Sequence, residues 1–287
     1  MIDSKFKIKK FVKLLGQIWF YSYSILILYL ICSTDKIGVK SILKCMLPIT
    51  YSEYWFLTTY ILLYLLSNFI NKFLNSITKK EHEVIIMVLL LLWSIIPTLI
   101  LGKIEFSNID WFILLYFIGA YLKKYHIKYF ENQKRNIVSL SALVFVGMIS
   151  ILILDKLHYK LGFNPLHFTL PMNQMLCLGI SIYIFAIFKN INITYNKTLN
   201  KIASCTLGVY LIHGHILARD VIWYNVYNVT KFTNSKFLVI YEILVVVTLY
   251  IFCVFIDFIR QNTVEKLYVK FIDKIEGNVE KTMVKKI

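Results

Sequence analysis

Long apolar runs alternate with short polar or basic segments along the whole chain. Most runs have the length that a helix needs to cross a bilayer, about 17–25 residues. The eight runs that we interpret as membrane spans are residues 14–32, 54–74, 84–101, 109–122, 137–154, 173–188, 202–218 and 237–259. The pattern predicts an all-α fold, a polytopic transmembrane helical bundle of about eight helices that forms a single domain over residues 1–287.

The basic residues concentrate in every second connection between these runs. If the N-terminus is cytoplasmic, 23 of the 32 Lys and Arg residues fall in cytoplasmic segments and nine in outer ones. Such an excess on the cytoplasmic side is the positive-inside rule. We therefore expect both chain ends in the cytoplasm, a multi-pass protein of the inner or plasma membrane, and membrane lipids as its surroundings.

The composition favours the same class. Hydrophobic residues make up 58% of the chain, whereas soluble domains contain about 45–50%. A net charge of +16 would suggest nucleic acid as a ligand of a soluble protein. Here the basic residues lie between apolar runs, so we predict no nucleic-acid partner. The five cysteines are scattered without the spacing of a metal site or a disulfide framework, and no metal is predicted.

The seventh run carries ionisable groups at membrane depth, where they usually face a bundle interior or a water-filled cavity. Tyr210 and His213 share one helical face, and His215 and Arg219 lie on roughly the opposite one. A straight helix cannot direct both histidines to one site, but Gly214 between them permits a break. His213 is thus a candidate proton carrier or hydrogen-bond donor to a substrate. The alternative is a histidine satisfied by a neighbouring hydroxyl or carbonyl group.

A basic cluster stands at the inner end of the first run. Lys9, Lys10 and Lys13 have the charge needed to hold the phosphates of a cytosolic anionic donor. The alternative is a topology signal or a contact with anionic lipid.

Aromatic and polar residues open the second run. Tyr54 and Trp55 follow Glu53, a combination that resembles the lining of a sugar site; a plain interfacial aromatic belt is the alternative. The loop over residues 155–172 is either an outer lid or an ordinary exposed loop. We expect His82 to be solvated, because the charged segment 76–83 has the composition of a loop.

Four segments resemble, in the same order, motifs of the membrane acyltransferase-3 family. SCTLGVYLIHGH, residues 204–215, resembles the family signature "IASxTLGVYLIH". YWFLTTYILLYLLSNFINKFL, residues 54–74, is similar to the stretch "YWFxxxYxxLYLLSPFINxxL". LLYFIGAYLKKY, residues 114–125, and SKFKIKKFVKLLGQIWFYS, residues 4–22, fit the same pattern. The resemblance covers essentially the whole chain.

The resemblance implies about ten transmembrane helices and transfer of an acyl group, often acetyl, from acyl-CoA as donor substrate. The acceptor is a hydroxyl of a surface polysaccharide or glycolipid, as in exopolysaccharide and capsule biosynthesis, and no cofactor stays bound. His213 matches the family's "YLIH" histidine and is the candidate catalytic residue. The candidate donor-binding residues are Lys9, Lys10 and Lys13. The candidate acceptor-binding residues are Tyr54, Trp55, Tyr210, His215 and Arg219.

The chain departs from the family pattern at its start. Family members carry two further helices there, with a basic residue followed eleven positions later by a histidine thought essential for transfer. No histidine precedes His82 here, and Asn68 stands where many members have Pro. The resemblance thus implies an N-terminally truncated acyltransferase, which we expect to be inactive alone; a truncated gene, a wrongly assigned start and a split protein are the open alternatives. Two alternatives are a polysaccharide exporter or flippase and a non-catalytic partner in polysaccharide assembly.

Overall fold

A computed structural model describes residues 7–33, 37–100, 107–125, 127–233, 235–270 and 273. These residues form helices and connections and contain no strand. The α-helices are α1 Ile8–Cys32, α2 Val39–Met46, α3 Trp55–Ser76, α4 Lys79–Leu90, α5 Ile96–Leu99, α6 Asn108–Lys124, α7 Gln133–Leu161, α8 Met175–Lys189, α9 Lys197–Ser204, α10 Thr206–His213, α11 Ile216–Asp220 and α12 Leu238–Asn262. Two π-helical segments, Leu91–Ile95 and Val221–Val226, and two short 3₁₀ turns, Lys128–Glu131 and Val229–Phe232, complete them.

Five helices are long and apolar enough to cross a membrane. They are Ile8–Cys32, Trp55–Ser76, Lys79–Leu99, Gln133–Leu161 and Leu238–Lys270. The all-α, multi-pass class predicted from the apolar runs is therefore confirmed. Each of the eight predicted spans contains helix, but the count of eight crossings stays a prediction.

The chain folds as two compact units. The first is described over residues 59–194, and the second combines residues 7–58 with the C-terminal part from residue 195. In the first unit the aromatic helix α6 supplies most of the core, with Trp111, Phe112 and Phe117 buried against apolar side chains of neighbouring helices.

His82 lies in this first unit, and the prediction that it is solvated is wrong. Thr78 and Glu81 form a reciprocal capping box, which satisfies free N–H groups and starts α4 at Lys79. Residues that the sequence suggested as loop are therefore helical, and they turn His82 inward. Its side chain is fully buried, and Nε2 lies 3.1 Å from the carbonyl oxygen of Phe117.

The loop before α8 is also partly buried. His167 is buried, and its Nε2 lies 3.2 Å from the carbonyl oxygen of Thr98. The hydroxyl of Thr98 accepts a hydrogen bond from the backbone N–H of Met175 at 3.0 Å. These contacts tie the loop to the π-distorted end of the third predicted span.

In the second unit, α2 folds back along α1. The hydroxyl of Ser22 donates to the carbonyl of Cys45 at 2.7 Å, and the hydroxyl of Tyr23 donates to that of Met46 at 3.0 Å. The last carbonyls of a helix have no partner within it. Side chains of α1 satisfy two of them here, so part of the connection between the first two predicted spans, residues 33–53, is a packed helix.

The seventh predicted span, residues 202–218, is not one continuous helix. It consists of α9, α10 and α11, with breaks at Cys205 and at Gly214–His215. A Cβ at Gly214 would lie 2.9 Å from the carbonyl oxygen of Tyr210, so only glycine fits this turn without a shift. The break that Gly214 permits is therefore present, and it isolates α10 as a separate helix of eight residues.

Candidate functional site

A carboxylate with several hydrogen-bond partners lies in the second unit, that of Asp257, which is fully buried on α12. Its Oδ1 accepts from the hydroxyl of Tyr21 at 2.7 Å, from Nε of Arg260 at 2.7 Å and from Nε2 of Gln17 at 3.1 Å. Its Oδ2 accepts from Nε2 of Gln261 at 2.7 Å and from Nη2 of Arg260 at 3.4 Å. The carboxylate thus has the partners that a buried charge requires.

A series of ion pairs leads from this carboxylate to the N-terminal part of α1. Arg260 is also buried, and its Nη1 lies 2.8 Å from Oε2 of Glu265 and 3.2 Å from the hydroxyl of Tyr268. The other oxygen of Glu265 lies 2.5 Å from Nζ of Lys13. Positive and negative groups alternate, so each charge of the chain Asp257–Arg260–Glu265–Lys13 is offset by a neighbour.

Gly208 of α10 lies directly against this carboxylate. A Cβ at this position would overlap Oδ1 of Asp257, and it would lie 2.5 Å from Cγ and 2.6 Å from Cβ of the same residue. Real Cβ atoms do not approach other atoms this closely, so any side chain here would displace α10 or the carboxylate. We call Asp257, its donors Gln17, Tyr21, Arg260 and Gln261, and Gly208 the Asp257 network.

The other end of α10 is held by Tyr54. Its side chain is buried, and its hydroxyl donates to the carbonyl of Leu211 at 3.0 Å. The ring centroid of Tyr54 lies 5.9 Å from that of Tyr210 and 6.1 Å from that of His215. A carbonyl that the helix end would leave unsatisfied therefore has a partner.

His215 is the N-cap of α11. Its side chain is fully buried, and Nδ1 accepts the backbone N–H of Leu217 at 3.1 Å. An acceptor nitrogen carries no proton, so the proton of the neutral ring is on Nε2, which faces Sγ of Cys45 at 3.8 Å. Both ring nitrogens of His215 are therefore engaged by the fold.

His213 has the opposite arrangement. Its Nδ1 lies 2.6 Å from the carbonyl oxygen of Val209, one turn earlier in α10. A carbonyl only accepts, so Nδ1 carries the proton and Nε2 of the neutral ring keeps a lone pair. The rings of Tyr210 and Trp223 meet the imidazole edge-on, with centroids at 6.3 Å and 6.5 Å. Within the described part of the chain Nε2 has no hydrogen-bond partner, so it is the nitrogen available as a base.

The predicted donor-binding lysines lie at one end of the second unit. Lys9 forms an ion pair with Asp273, and Lys13 forms the pair with Glu265. About half of each lysine side chain is exposed. Lys10 is exposed too, and it has no ion-pair partner among the residues described.

The predicted acceptor-binding residues are only partly brought together. Trp55 is half-exposed and meets Phe56 edge-on at 6.0 Å, and Phe56 meets Tyr210 in the same way at 6.0 Å. Trp55, Phe56 and Tyr210 therefore form a series of aromatic rings, the aromatic series, that ends beside His213. Arg219 is exposed, and its Nε lies 3.2 Å from Oδ1 of Asp220.

Sequence reasoning missed the Asp257 network. Asp257 and Arg260 are charged residues three apart near the end of the long apolar helix α12, and such groups inside a span mark a functional or structural site by default. Gln17 and Tyr21, four apart on α1, give the matching signal on the facing helix. These two spacings would have indicated that α1 and α12 pack together through polar groups.

Comparison with known proteins gives one family. The model of the acyltransferase 3 family, described as an acyltransferase domain, matches residues 1–258. No curated protein and no solved structure gives a significant match.

Removing the carboxylate of Asp257 tests whether this network holds the second unit together. Asp257→Ala should lower the free energy of unfolding by about 3 kcal/mol, because Arg260 then loses its principal partner while Glu265 still neutralises part of its charge. Asp220→Ala removes a solvent-exposed ion pair and should cost less than about 1 kcal/mol. Thermal unfolding of both variants in detergent measures the difference; equal costs would contradict the assignment.

Proposed function

This chain belongs to the acyltransferase 3 family, and from that premise we propose that it transfers an acyl group, acetyl in the first instance, from acyl-CoA to a hydroxyl of a surface polysaccharide or glycolipid. The family match supports membrane acyl transfer in general. The free lone pair on Nε2 of His213 is the observation that carries the proposed chemistry.

In the proposed reaction, Nε2 of His213 takes the proton of the acceptor hydroxyl as its oxygen attacks the thioester carbonyl carbon. The new C–O bond forms and the C–S bond breaks, and CoA leaves as a thiolate. The proton on the imidazole is the one needed to give the free thiol, so no other reactant is required. The Nδ1–H bond to Val209 holds the ring in the tautomer that this role needs.

The donor is proposed to bind at Lys9, Lys10 and Lys13. The Lys9–Asp273 pair is half-exposed on both sides, and exposed ion pairs contribute at most about 1 kcal/mol. Lys13 is half-exposed too, but its partner Glu265 is mostly buried. Donor phosphates compete readily with a weak pair such as Lys9–Asp273, because a hydrogen bond to a charged group contributes about 1.5–3 kcal/mol.

The acceptor is proposed to approach from the aromatic series. Trp55 and Tyr210 present ring faces and edges suited to a sugar, and Arg219 is exposed for a polar contact. Tyr54 and His215 are buried, so we propose that they act on the acceptor indirectly, by holding the two ends of the α10–α11 turn.

We also propose eight crossings with both ends in the cytoplasm of an inner or plasma membrane, on the strength of the charge distribution. Single cysteines at Lys128 and Lys160, in a background without the native cysteines, test this topology. A membrane-impermeant thiol reagent should label position 160 in intact cells and reach position 128 only after lysis. Labelling of both positions from the same side would contradict the eight-span arrangement.

Substitution of His213 tests the reaction. His213→Ala, introduced into the chromosomal copy in the source cells, should lower acyl transfer from labelled acyl-CoA to the cell's own polysaccharide by about 100-fold or more, the usual contribution of a general base. Acyl-CoA binding by the isolated membranes should stay nearly unchanged. His213→Gln keeps hydrogen bonding but cannot exchange a proton, so it should fail like Ala.

Two outcomes would redirect this proposal. Restored transfer with His213→Gln would leave hydrogen bonding, and not proton transfer, as the role. Polysaccharide that reaches the surface in normal amounts from wild-type cells, yet never carries the labelled acyl group, would favour an exporter over an acyltransferase.

The donor site is tested by charge removal. Changing Lys9, Lys10 and Lys13 together to Gln should raise the KM for acyl-CoA at least about tenfold, because several charge-assisted phosphate contacts are lost. Lys10→Arg keeps the charge and should be tolerated. Lys160→Gln, an exposed lysine elsewhere, serves as the control. An unchanged KM with altered membrane orientation would reduce the lysines to a topology signal.

A further inference from the structure

We propose that Asp257 is a positioning residue: its contact with Gly208 sets where α10 lies and, through α10, where Nε2 of His213 is presented to the acceptor. This inference relies on the proposed function only for the role of His213. The contact itself is a property of the fold.

The position of α10 cannot come from the helix alone. A helix of eight residues is too short to be stable in isolation. The breaks at Cys205 and Gly214 also separate it from α9 and α11, so neither neighbour holds it in line. Its place must therefore be set by contacts with other elements. Val209, Leu211 and Ile212 are buried, and two specific contacts fix the ends: Gly208 packs against Asp257 near the start, and the hydroxyl of Tyr54 donates to the carbonyl of Leu211 near the end.

Asp257 is suited to this role because hydrogen bonds hold its carboxylate in one position. Its two oxygens accept from Tyr21 and Gln17 on α1 as well as from Arg260 and Gln261 on its own helix. Any movement of the carboxylate would break bonds in a site that water does not reach. The hydrogen bonds therefore fix the position of the carboxylate, and the backbone of Gly208 packs directly against it.

A shift of Gly208 would be carried to His213. The two residues are five apart on one short helix, about 7.5 Å along its axis. The imidazole is bonded to Val209 within the same helix, so the ring moves with it. Displacements of about 1 Å at a reacting group lower rates by as much as about 100-fold.

The test is Gly208→Ala with Gly119→Ala as its matched control. Both glycines lie within helices, but a Cβ at Gly119 meets nothing within 4 Å. With both changes introduced into the chromosomal copy and transfer measured in membranes of the source cells, we expect Gly208→Ala to lower kcat at least about tenfold with the KM for acyl-CoA changed less than about twofold, because the base moves while the donor site stays. Gly119→Ala should leave both constants unchanged.

A second readout does not depend on activity. Diethyl pyrocarbonate acylates a free imidazole nitrogen, and two histidines share the same arrangement: Nδ1 of His213 lies 2.6 Å from a carbonyl oxygen, and Nδ1 of His158 lies 2.7 Å from that of Phe163. In Gly208→Ala the labelling rate at His213, followed by mass spectrometry, should change at least about threefold, while that at His158 should not.

These readouts separate failure of the inference from failure of the proposed function. Altered labelling of His213 without altered transfer would keep the positioning role and remove His213 from the reaction. Unaltered labelling and unaltered kcat together would overturn the inference. If Gly208→Ala does not insert, Asp257→Asn, which keeps the size of the side chain but loses an acceptor oxygen, is measured in its place against Asp155→Asn at an exposed position, with the same two outcomes.

Discussion

The second unit is organised around the buried carboxylate of Asp257, whose position is fixed by its hydrogen bonds. Asp257 lies on an apolar helix suited to a membrane span, where an unpaired charge would be very costly. Four side chains from two helices satisfy it, and the backbone of Gly208 fills the remaining space beside it. Because the same group joins α1, α10 and α12, their mutual register follows from one polar contact set and not from apolar packing alone.

The two histidines on either side of Gly214, His213 and His215, have different roles. His215 caps α11, and both of its ring nitrogens are occupied, so its chemistry is used in the fold. His213 uses one nitrogen to fix its own orientation and keeps the other free. The turn at Gly214 separates the two rings. A short helix broken at both ends can thus present one base while the neighbouring histidine secures the turn behind it.

The sequence predicted the all-α, multi-pass membrane class and the long helices, because apolar runs of about the length of a membrane span are typical of transmembrane helices. The break at Gly214 was indicated by the glycine between two histidines, but the break at Cys205 was not, since only local contacts decide where the run 202–218 bends there. His82 was misplaced because a capping box turned a charged segment into helix. Asp257 was overlooked because a charge inside an apolar run was absorbed into the span, although its spacing to Arg260 marked it.

The account rests on direct contact between Gly208 and Asp257, and a double-mutant cycle of unfolding free energies tests it most directly. Gly208→Ala should cost about 1–3 kcal/mol in the wild-type background, as overpacking usually does. In the Asp257→Gly background all three clashing atoms of Asp257 are absent, so the added methyl group has room and the same change should cost little. Costs in the two backgrounds that agree within about 0.5 kcal/mol would show that the two sites do not interact and would contradict the account.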